Sequence, residues 1–573
     1  MKLLFSQYLR PYTARMSIGL AIKFTGTIMD LLLPWILSYL IDDVVPQGSI
    51  PLILWWGGAM LLCAAAALVT NIVANRMASR VAQLTTQSIR HDLFAKISSL
   101  SSKQTDRFGI PSLESRLTTD TYHIHQMTGM MQRMGIRAPI LLLGGILITL
   151  NLEPVLALVL IASLPLLGTM IFFISRKGIP LYKNLQAGVD AMVRTVRENI
   201  TGIRVIKALS KTEYECSRFS SVNSEVIRRE KKAGVTMALT NPLMNLMLNS
   251  GLTAVILVGA WRVDLGLTQP GKILAFLTYF TIILNALMSI NRMFMMLSKG
   301  SASAARITEV LDAPEDLPIR QETAPVDEDD FIVFDHVCFS YQKKESNLTD
   351  ISFCMKKGET LGIIGATGSG KSTVINLLMR LYDTDSGEIR ISGRRVDAIA
   401  PEELHGMFGV VFQDDILFGD TIEANIDFGR NLPREQLLHA AACAQAKEFI
   451  DQLPDGIQHR LTAKGTNLSG GQKQRILIAR ALAAHPEILV LDDSSSALDY
   501  RTDAQLRSAL HKDFRDAATL VVAQRISSVM QADRILVMDD GRAVGYGTHA
   551  ELMESCALYR EIGRSQLGGD DIG

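Results

Sequence analysis

The chain has 573 residues, which is enough for at least two domains with full hydrophobic cores. Lysine plus arginine and aspartate plus glutamate both total 58, and this balance argues against a nucleic-acid partner. Hydrophobic residues make up 48 % and concentrate in the first half, whereas the last part is typical of a soluble α/β domain. The six cysteines show no CxxC pairing, which favours reduced thiols without a metal.

Long apolar runs recur through the first half of the chain. Four of them carry no charge and are long enough to cross a hydrocarbon core of about 30 Å as helices. Two weaker runs bring the predicted number of membrane spans to six. In chain order these spans are 16–41, 51–75, about 128–152, 155–175, 233–261 and 273–291. The N-terminal segment MKLLFSQYLRPYTAR lacks an apolar core and a cleavage site, so it predicts an amphipathic entry helix rather than a signal peptide.

Basic residues near the ends of the spans predict their orientation. Arginines and lysines precede spans 1 and 5 and follow spans 2 and 4, whereas the connections after spans 1 and 3 are short and acidic. Both termini and the two long connections, about 76–127 and 176–232, are therefore predicted to face the cytoplasm of a multi-pass protein in the cell membrane. Both connections have a helical pattern, so the spans are predicted to extend far beyond the bilayer.

Polar residues inside the predicted spans are candidates for function. Lys23 and Arg292 are expected to extend their charges toward the membrane surface. Asp30 lies deeper, two turns from Lys23 on the same face, and lining of a polar cavity is an open alternative. Methionines on spans 3 and 6 either fill the core or form a deformable surface for varied apolar ligands. They are Met127, Met130, Met131, Met134, Met288, Met293, Met295 and Met296.

An acidic, proline-rich stretch without apolar periodicity separates the two halves of the chain and reads as a linker. The predicted division is a transmembrane domain over 1–310, a linker over 311–330, a nucleotide-binding domain over 331–563 and a C-terminal tail over 564–573.

A phosphate-binding motif, GATGSGKST, follows the apolar strand sequence ETLGIIG and precedes a helical pattern. Its residues are Gly365, Ala366, Thr367, Gly368, Ser369, Gly370, Lys371, Ser372 and Thr373. The glycines allow backbone N–H groups to surround phosphate oxygens at a helix N-terminus. Lys371 is predicted to reach the β- and γ-phosphates, and the Ser372 hydroxyl is predicted to bind Mg²⁺.

Two further motifs follow. LSGGQ comprises Leu468, Ser469, Gly470, Gly471 and Gln472. The run ILVLDD then predicts a buried parallel strand that ends in Asp492, a carboxylate suited to Mg²⁺, followed by Asp493. The three motifs in this order, behind six spans, resemble an ATP-binding cassette (ABC) exporter half-transporter. The resemblance implies an all-α six-helix transmembrane domain of the type I exporter kind fused to an α/β P-loop cassette.

The resemblance also implies roles for individual residues. Tyr341 matches the aromatic residue that stacks on adenine, and Gln413 matches the glutamine that contacts Mg²⁺ and the attacking water. Residues 468–472 match the signature that closes over ATP held by the opposite subunit, and Ser496 to Asp499 match the loop between the two sites. ATP and Mg²⁺ are thus the implied cofactors. The chain shows no internal duplication, so the second half comes from another chain.

Both long cytoplasmic connections contain segments that resemble the exporter loops whose short helices dock on the cassettes. They are 107–120 and 198–219. Such docking converts cassette closure into movement of the spans.

Three positions depart from an active cassette. Asp493 stands where a glutamate usually polarises water, Gln524 where a histidine usually contacts the γ-phosphate, and Ala463 where an acidic residue usually precedes the signature. Shortening Glu to Asp withdraws the carboxylate by about 1.5 Å, and a misplacement of ~1 Å can cost ~10²-fold in rate. Glutamine can donate a hydrogen bond but cannot carry the imidazolium charge. The sequence therefore predicts a site that binds ATP and hydrolyses it slowly.

The intact signature and the altered site together resemble the degenerate-site half of a bacterial heterodimeric multidrug-type exporter. A homodimer with two slow sites is the alternative assembly. The predicted function is export of an amphipathic, drug-like compound, with a lipid or peptide exporter and an ATP-gated channel or regulator as alternatives. Accumulation of substrate in proteoliposomes against a gradient distinguishes a pump from a channel.

Overall fold

The computed structural model describes residues 5–314, 317–320, 329–341, 346–494 and 497–567. The chain divides into two compact units. The first unit is Met1–Ser98 with Pro111–Ala313, and the second is Ser99–Ile110 with Pro314–Gly573. Part of the predicted linker, residue Ser496 of the predicted inter-site loop, and positions 568–573 of the predicted tail lie outside the described residues.

The N-terminal part of the chain folds into helices, as its apolar runs require, because a helix satisfies its own backbone hydrogen bonds in lipid. In chain order they are α1 (Thr13–Tyr39), α2 (Ile50–Ser98), α3 (Ser102–Phe108), α4 (Ile110–Ser115), α5 (Thr121–Met134), α6 (Arg137–Leu152), α7 (Pro154–Thr201), α8 (Ile203–Ala208), α9 (Thr212–Ala238), α10 (Thr240–Asp264) and α11 (Pro270–Leu311). Of these, α3 belongs to the second unit.

Five continuous helical stretches among the described residues are long and apolar enough to cross a membrane. They are 50–98, 110–152, 154–201, 212–264 and 270–311. The predicted first span corresponds to α1, which has 27 residues but carries Lys23 and Asp30 and is not among the five. The predicted count of six spans therefore includes one helix, α1, that is not among these five.

The predicted extension of the spans beyond the bilayer agrees with the helix lengths. Helix α2 has 49 residues and α7 has 48, so each is about 70 Å long at 1.5 Å per residue. The core of the first unit includes Tyr279, Phe280 and Ile283 of α11. The Tyr279 hydroxyl donates a hydrogen bond of 2.6 Å to the Leu31 carbonyl, so the buried phenol is satisfied by α1.

The second unit contains two sheets. Its strands are β1 (Ile332–Phe339), β2 (Leu348–Met355), β3 (Thr360–Gly365), β4 (Ser386–Ile391), β5 (Arg394–Arg395), β6 (Phe408–Val411), β7 (Ile488–Asp492), β8 (Ala518–Ala523), β9 (Arg534–Asp539) and β10 (Arg542–Gly547). An antiparallel sheet has the order β2-β1-β4-β5, and a six-stranded sheet has the order β10-β9-β3-β8-β7-β6. In the larger sheet only the β9–β10 pair is antiparallel.

The strands of the larger sheet are buried apolar runs, as expected for parallel strands covered on both faces. The helices of this part are α12 (Lys371–Leu378), α13 (Pro401–Gly406), α14 (Ile422–Asp427), α15 (Arg434–Cys443), α16 (Lys447–Asp451), α17 (Gly470–Leu482), α18 (Tyr500–Asp513), α19 (Ile526–Val529), α20 (His549–Ser555) and α21 (Ala557–Leu567). Helix α21 continues to Leu567, so the first residues of the predicted tail are helical.

The short helix α3 packs with the second unit although it lies between membrane helices in sequence. Ser101 caps α3, since its hydroxyl accepts a 3.1 Å hydrogen bond from the Gln104 N–H. The Gln104 side chain donates to the Pro314 carbonyl at 2.6 Å, and the Tyr382 hydroxyl donates to Asp106 Oδ2 at 2.5 Å. These contacts place the middle of the first long connection on the nucleotide-binding part.

Candidate nucleotide-binding site

The phosphate loop joins β3 to α12, at the carboxyl edge of the larger sheet. Gly368 and Gly370 have φ angles of 85° and 98°, a left-handed region that favours glycine. A Cβ at Gly365 would lie 2.1 Å from the Met538 carbonyl oxygen. The loop therefore requires glycine at these positions, two for backbone conformation and one for close packing against β9.

Lys371 begins α12 and is buried. Its ammonium group donates hydrogen bonds of 2.8 Å to the Gly365 carbonyl and 2.7 Å to the Ala366 carbonyl. Burial lowers the pKa of Lys371, while the carboxylates of Asp492 and Asp493 act to raise it. The structure thus places a cation inside the curve of the loop.

Ser372 and Asp492 meet where α12 faces the end of β7. The Ser372 hydroxyl donates a 2.9 Å hydrogen bond to Asp492 Oδ2. Burial raises the pKa of Asp492, although this hydrogen bond and the charge of Lys371 act in the opposite direction. Two oxygen ligands side by side, one of them a carboxylate, fit the preference of Mg²⁺ for hard oxygen donors.

Asp493 lies directly after β7 with φ of 49°, in a region that aspartate tolerates better than most residues. Its backbone N–H donates a 2.9 Å hydrogen bond to the Val522 carbonyl, which continues the ladder with β8. Burial raises the pKa of the Asp493 carboxyl, against the opposing charges of Lys371 and Arg525.

These residues line one open cleft of about 300 Å³. Its lining is Asn347, Thr367, Gly368, Gly370, Lys371, Ser372, Thr373, Gln413, Asp492, Asp493, Val522, Ala523 and Gln524. Residues predicted from four separate sequence motifs are therefore brought together. No sequence motif predicted Asn347 as a residue of the site. Its side chain accepts a 3.0 Å hydrogen bond from the Tyr341 N–H.

Tyr341 follows β1 near the same cleft, and its side chain is partly exposed. Its ring packs edge-on against Phe339 and Tyr382, with centroids 4.8 and 5.0 Å apart. The hydroxyl lies 3.4 Å from Thr373 Oγ1 and accepts a 3.2 Å hydrogen bond from Asn376 Nδ2. The phosphate-loop helix therefore fixes the position of this aromatic ring.

The signature forms the start of α17. Ser469 is the N-cap, and it exchanges hydrogen bonds with Gln472: the Gln472 N–H donates to Ser469 Oγ, and the Ser469 N–H donates to Gln472 Oε1. Gly470 and Gly471 occupy the first turn, and Leu468 packs against the helical core. None of these described residues lines the phosphate-loop cleft of the same chain.

The structure identifies hydrogen-bond partners for Lys23 and Asp30, the two charged residues within the predicted first span. Lys23 is 2 % exposed, and its ammonium donates to Asn71 Oδ1 at 2.8 Å and Asn75 Oδ1 at 3.1 Å. Both asparagines lie in the last two turns of the predicted second span, so the extension of this charge toward a membrane surface stays a prediction. Asp30 accepts a 3.1 Å hydrogen bond from Arg137 in an ion pair between α1 and α6.

Comparisons with known proteins agree with this architecture. Residues 16–287 match the family model described as ABC transporter transmembrane region, and residues 348–496 match the model described as ABC transporter. YfiB of Bacillus subtilis, an uncharacterized ABC transporter ATP-binding protein, is 35 % identical over 98 % of both chains. An uncharacterized ABC transporter ATP-binding protein of Mycobacterium tuberculosis is 34 % identical over 100 % of this chain and 99 % of its own.

A solved structure shares the fold. The structure of a bacterial Atm1-family ABC exporter with ATP bound superimposes with a TM-score of 0.81 at 24 % identity. The match covers 98 % of this chain and 99 % of that one. The two-part arrangement of membrane helices and nucleotide-binding domain is therefore shared along the whole length.

Proposed function

Because this chain belongs to the ABC transporter family, as an exporter half-transporter with its cassette fused to its membrane helices, we propose that its own ATP site is degenerate. The cassette binds ATP and couples it to transport, as its family does. The observation that carries the proposal is the composition of the cleft, where Asp493 and Gln524 line the same cavity as an intact phosphate loop.

Nucleotide retention rests on groups that match the family pattern. Lys371 holds the β- and γ-phosphates, and Ser372, Gln413 and Asp492 are the residues that would hold Mg²⁺, which supplies charge neutralisation when bound. Tyr341 stacks on adenine.

Slow hydrolysis follows from two residues that act on the attacking water and the γ-phosphate. Asp493 carries its carboxylate on a side chain one carbon shorter than glutamate, and Gln524 lacks the positive charge available to histidine. Gln413 remains to orient the water, but orientation without a well-placed base leaves proton removal slow.

The signature serves a partner. Half-transporters of this family dimerise, and residues 468–472 lie outside the cleft of their own chain. A partner half-transporter with a working glutamate and histidine therefore completes one active site against this signature. A heterodimer of this kind accounts for an intact signature beside an altered cleft, whereas a homodimer would contain two slow sites.

The transported compound is proposed to be amphipathic and drug-like. A cavity of about 290 Å³ in the membrane unit supports this, since its lining is apolar apart from one amide. The lining residues are Leu32, Trp35, Ile148, Asn151 and Leu152. We place both termini and the cassette in the cytoplasm, on the strength of the basic residues near the span ends.

The lone chain provides the direct test. Purified full length in nanodiscs, it is expected to bind Mg-ATP but release phosphate at ~0.01–0.1 s⁻¹, about 10²-fold below a typical ~1–10 s⁻¹. Equilibrium binding of a fluorescent ATP analogue and steady-state phosphate release are the two measurements. Turnover of ~1–10 s⁻¹ by the lone chain would contradict the degenerate site.

A gain-of-function pair sharpens that test. In nanodiscs that each hold two copies of the chain, so that every cleft faces an intact signature, the double substitution Asp493→Glu with Gln524→His restores the base and the charge, and turnover is expected to rise toward ~1 s⁻¹. Each single substitution serves as a control and should give a smaller gain. Melting temperatures establish that the variants fold. A folded double variant that hydrolyses no faster than the wild type shows that these two residues do not limit the rate.

A further inference from the structure

Three chemically different metal ligands converge on the outer side of the cassette, away from the ATP cleft. His439 and Cys443 lie four residues apart on α15 and therefore on one face, and Asp513 is the last residue of α18. Their ligand atoms all lie within 4.8 Å of one another. None of the three lines the phosphate-loop cleft, so ATP binding does not account for them.

The distances between the ligand atoms match a tetrahedral metal site. Cys443 Sγ lies 3.2 Å from Asp513 Oδ2 and 3.8 Å from His439 Nε2, and His439 Nε2 lies 3.7 Å from Asp513 Oδ2. Tetrahedral zinc with bonds of about 2.3 Å to sulfur and about 2.0–2.2 Å to nitrogen or oxygen separates its ligands by about 3.4–3.6 Å. The separations between the ligand atoms are therefore within a few tenths of an ångström of a tetrahedral site. Because Cys443 Sγ lies 3.8 Å from both ring nitrogens of His439, metal binding also requires the ring to rotate and direct one nitrogen to the ion.

The surroundings suit a partly open site. Cys443 is buried, whereas the side chains of His439 and Asp513 are 50 % and 29 % exposed, so solvent reaches the triangle from one side. The His485 ring stacks on His439 with centroids 6.3 Å apart and on Phe514 at 5.4 Å. This stack restricts the orientation of the His439 ring.

We propose that His439, Cys443 and Asp513 bind Zn²⁺, with water in the fourth position. The mixture of thiolate, imidazole and carboxylate favours zinc over the hard cations Mg²⁺ and Ca²⁺. The Cys443 thiol, which donates to Asp513, releases its proton to solvent as the metal–sulfur bond forms. The bound ion links α15 to α18, two helices separated by the signature helix in sequence. The proposed site departs from the expectation, based on cysteine spacing, of reduced thiols without a metal, because the other two ligands, His439 and Asp513, are not cysteines.

Cobalt substitution tests the site without reference to hydrolysis. The full-length chain is treated with a chelator, purified from it and titrated with Co²⁺, and then with Zn²⁺ in competition. One Co²⁺ per chain with thiolate-to-cobalt charge-transfer absorption is expected, and Zn²⁺ should displace it. Absence of the thiolate band in the folded wild-type chain overturns the proposal.

Matched variants identify the ligands. Cys443→Ser and His439→Asn should each abolish the thiolate band or weaken Zn²⁺ binding to the level of nonspecific sites. His439 is half exposed, so His439→Asn keeps the test valid even if the buried Cys443→Ser variant fails to fold. Cys216→Ser, which removes an exposed thiol of α9, is the control and should leave binding unchanged. Full binding by His439→Asn, or its loss in Cys216→Ser, refutes the assignment.

Discussion

The phosphate-loop cleft and the signature lie in the same cassette, but they differ in how closely they follow the pattern of an active site. The signature is complete, and Ser469 and Gln472 hold its first turn by reciprocal hydrogen bonds. The cleft holds an intact loop for phosphate, yet Asp493 and Gln524 occupy its reacting end. On the function proposed above, the group assigned to the partner's nucleotide keeps the family pattern, while two residues assigned to hydrolysis of the chain's own nucleotide depart from it.

The proposed function assigns nucleotide binding and hydrolysis to separate parts of the fold. Phosphate retention uses backbone geometry and Lys371, both of which are set by the turn between β3 and α12. Hydrolysis adds side chains from the ends of β7 and β8. Changes at those strand ends alter the chemistry without disturbing the loop, because parallel strands deliver their terminal residues independently.

The largest expected effect on ATPase activity and transport comes from introducing a negative charge into the signature. In the heterodimer, Gly471→Asp places a carboxylate toward the partner's γ-phosphate, where like charges repel, and it should reduce steady-state ATPase and transport by at least ~10²-fold. Asp493→Asn alters a base that is already displaced and should remove at most about half of the turnover. The ATPase rates of the two single variants decide the comparison.

A matched control separates charge from crowding at this position. A Cβ at Gly471 would lie 3.1 Å from the Ala497 carbonyl oxygen, so Gly471→Ala adds crowding without charge and should cost only a few-fold. If Asp493→Asn proves as damaging as Gly471→Asp, this chain performs its own hydrolysis and the division of labour is wrong.

A smaller effect is expected on the affinity of the phosphate-loop cleft for Mg-ATP. Lys371→Ala removes the phosphate cation and should weaken Mg-ATP binding to the lone chain by about 10–100-fold, the equivalent of a charged hydrogen bond. Lys357→Ala is the matched control, because Lys357 is exposed and pairs with Glu487 elsewhere in the cassette. Equal nucleotide affinity in both variants would refute the assignment of the loop.

The smallest effect concerns the aromatic ring beside the loop. Tyr341→Ala should weaken ATP binding by up to ~10-fold, since it removes stacking on adenine. Tyr341→Phe keeps the ring and loses only the contacts of the hydroxyl with Thr373 and Asn376, so its affinity should stay within about two-fold of the wild type. A titration with GTP and ATP measures whether the ring discriminates between bases. A loss in Tyr341→Phe equal to that in Tyr341→Ala would mean that the hydroxyl, and not the ring, supports binding.

Sequence was sufficient for the parts of the site that depend on local structure. The phosphate loop, the strand that ends in Asp492 and the start of the signature helix follow from glycine spacing, apolar runs and a capping residue. The meeting of the phosphate loop and Asp492 in one cleft follows from the order of strands in a parallel sheet. The family pattern supplied Gln413 and Gln524, which no local rule identifies.

Sequence was insufficient where a side chain depends on a distant partner. No local rule pairs Lys23 with residues of another helix, and the structure shows that Asn71 and Asn75 of α2 accept its hydrogen bonds. Asn347 was not predicted as a site residue, because a single asparagine in a loop is common and indicates no particular function. His439 and Cys443 stood out only once α18 brought Asp513 beside them.

The ion pair between Asp30 and Arg137 has a consequence for the synthesis of the protein. The two residues are 107 positions apart, so a ribosome that adds about 5–20 residues per second delivers Arg137 about 5–20 s after Asp30. During that interval the Asn71 amide of α2 can donate a 3.4 Å hydrogen bond to Asp30 but does not neutralise its charge, and a charged carboxylate costs a few kcal/mol in a bilayer. We expect α1 to stay within the insertion machinery until α6 emerges, so that these two helices enter the lipid as a neutralised pair.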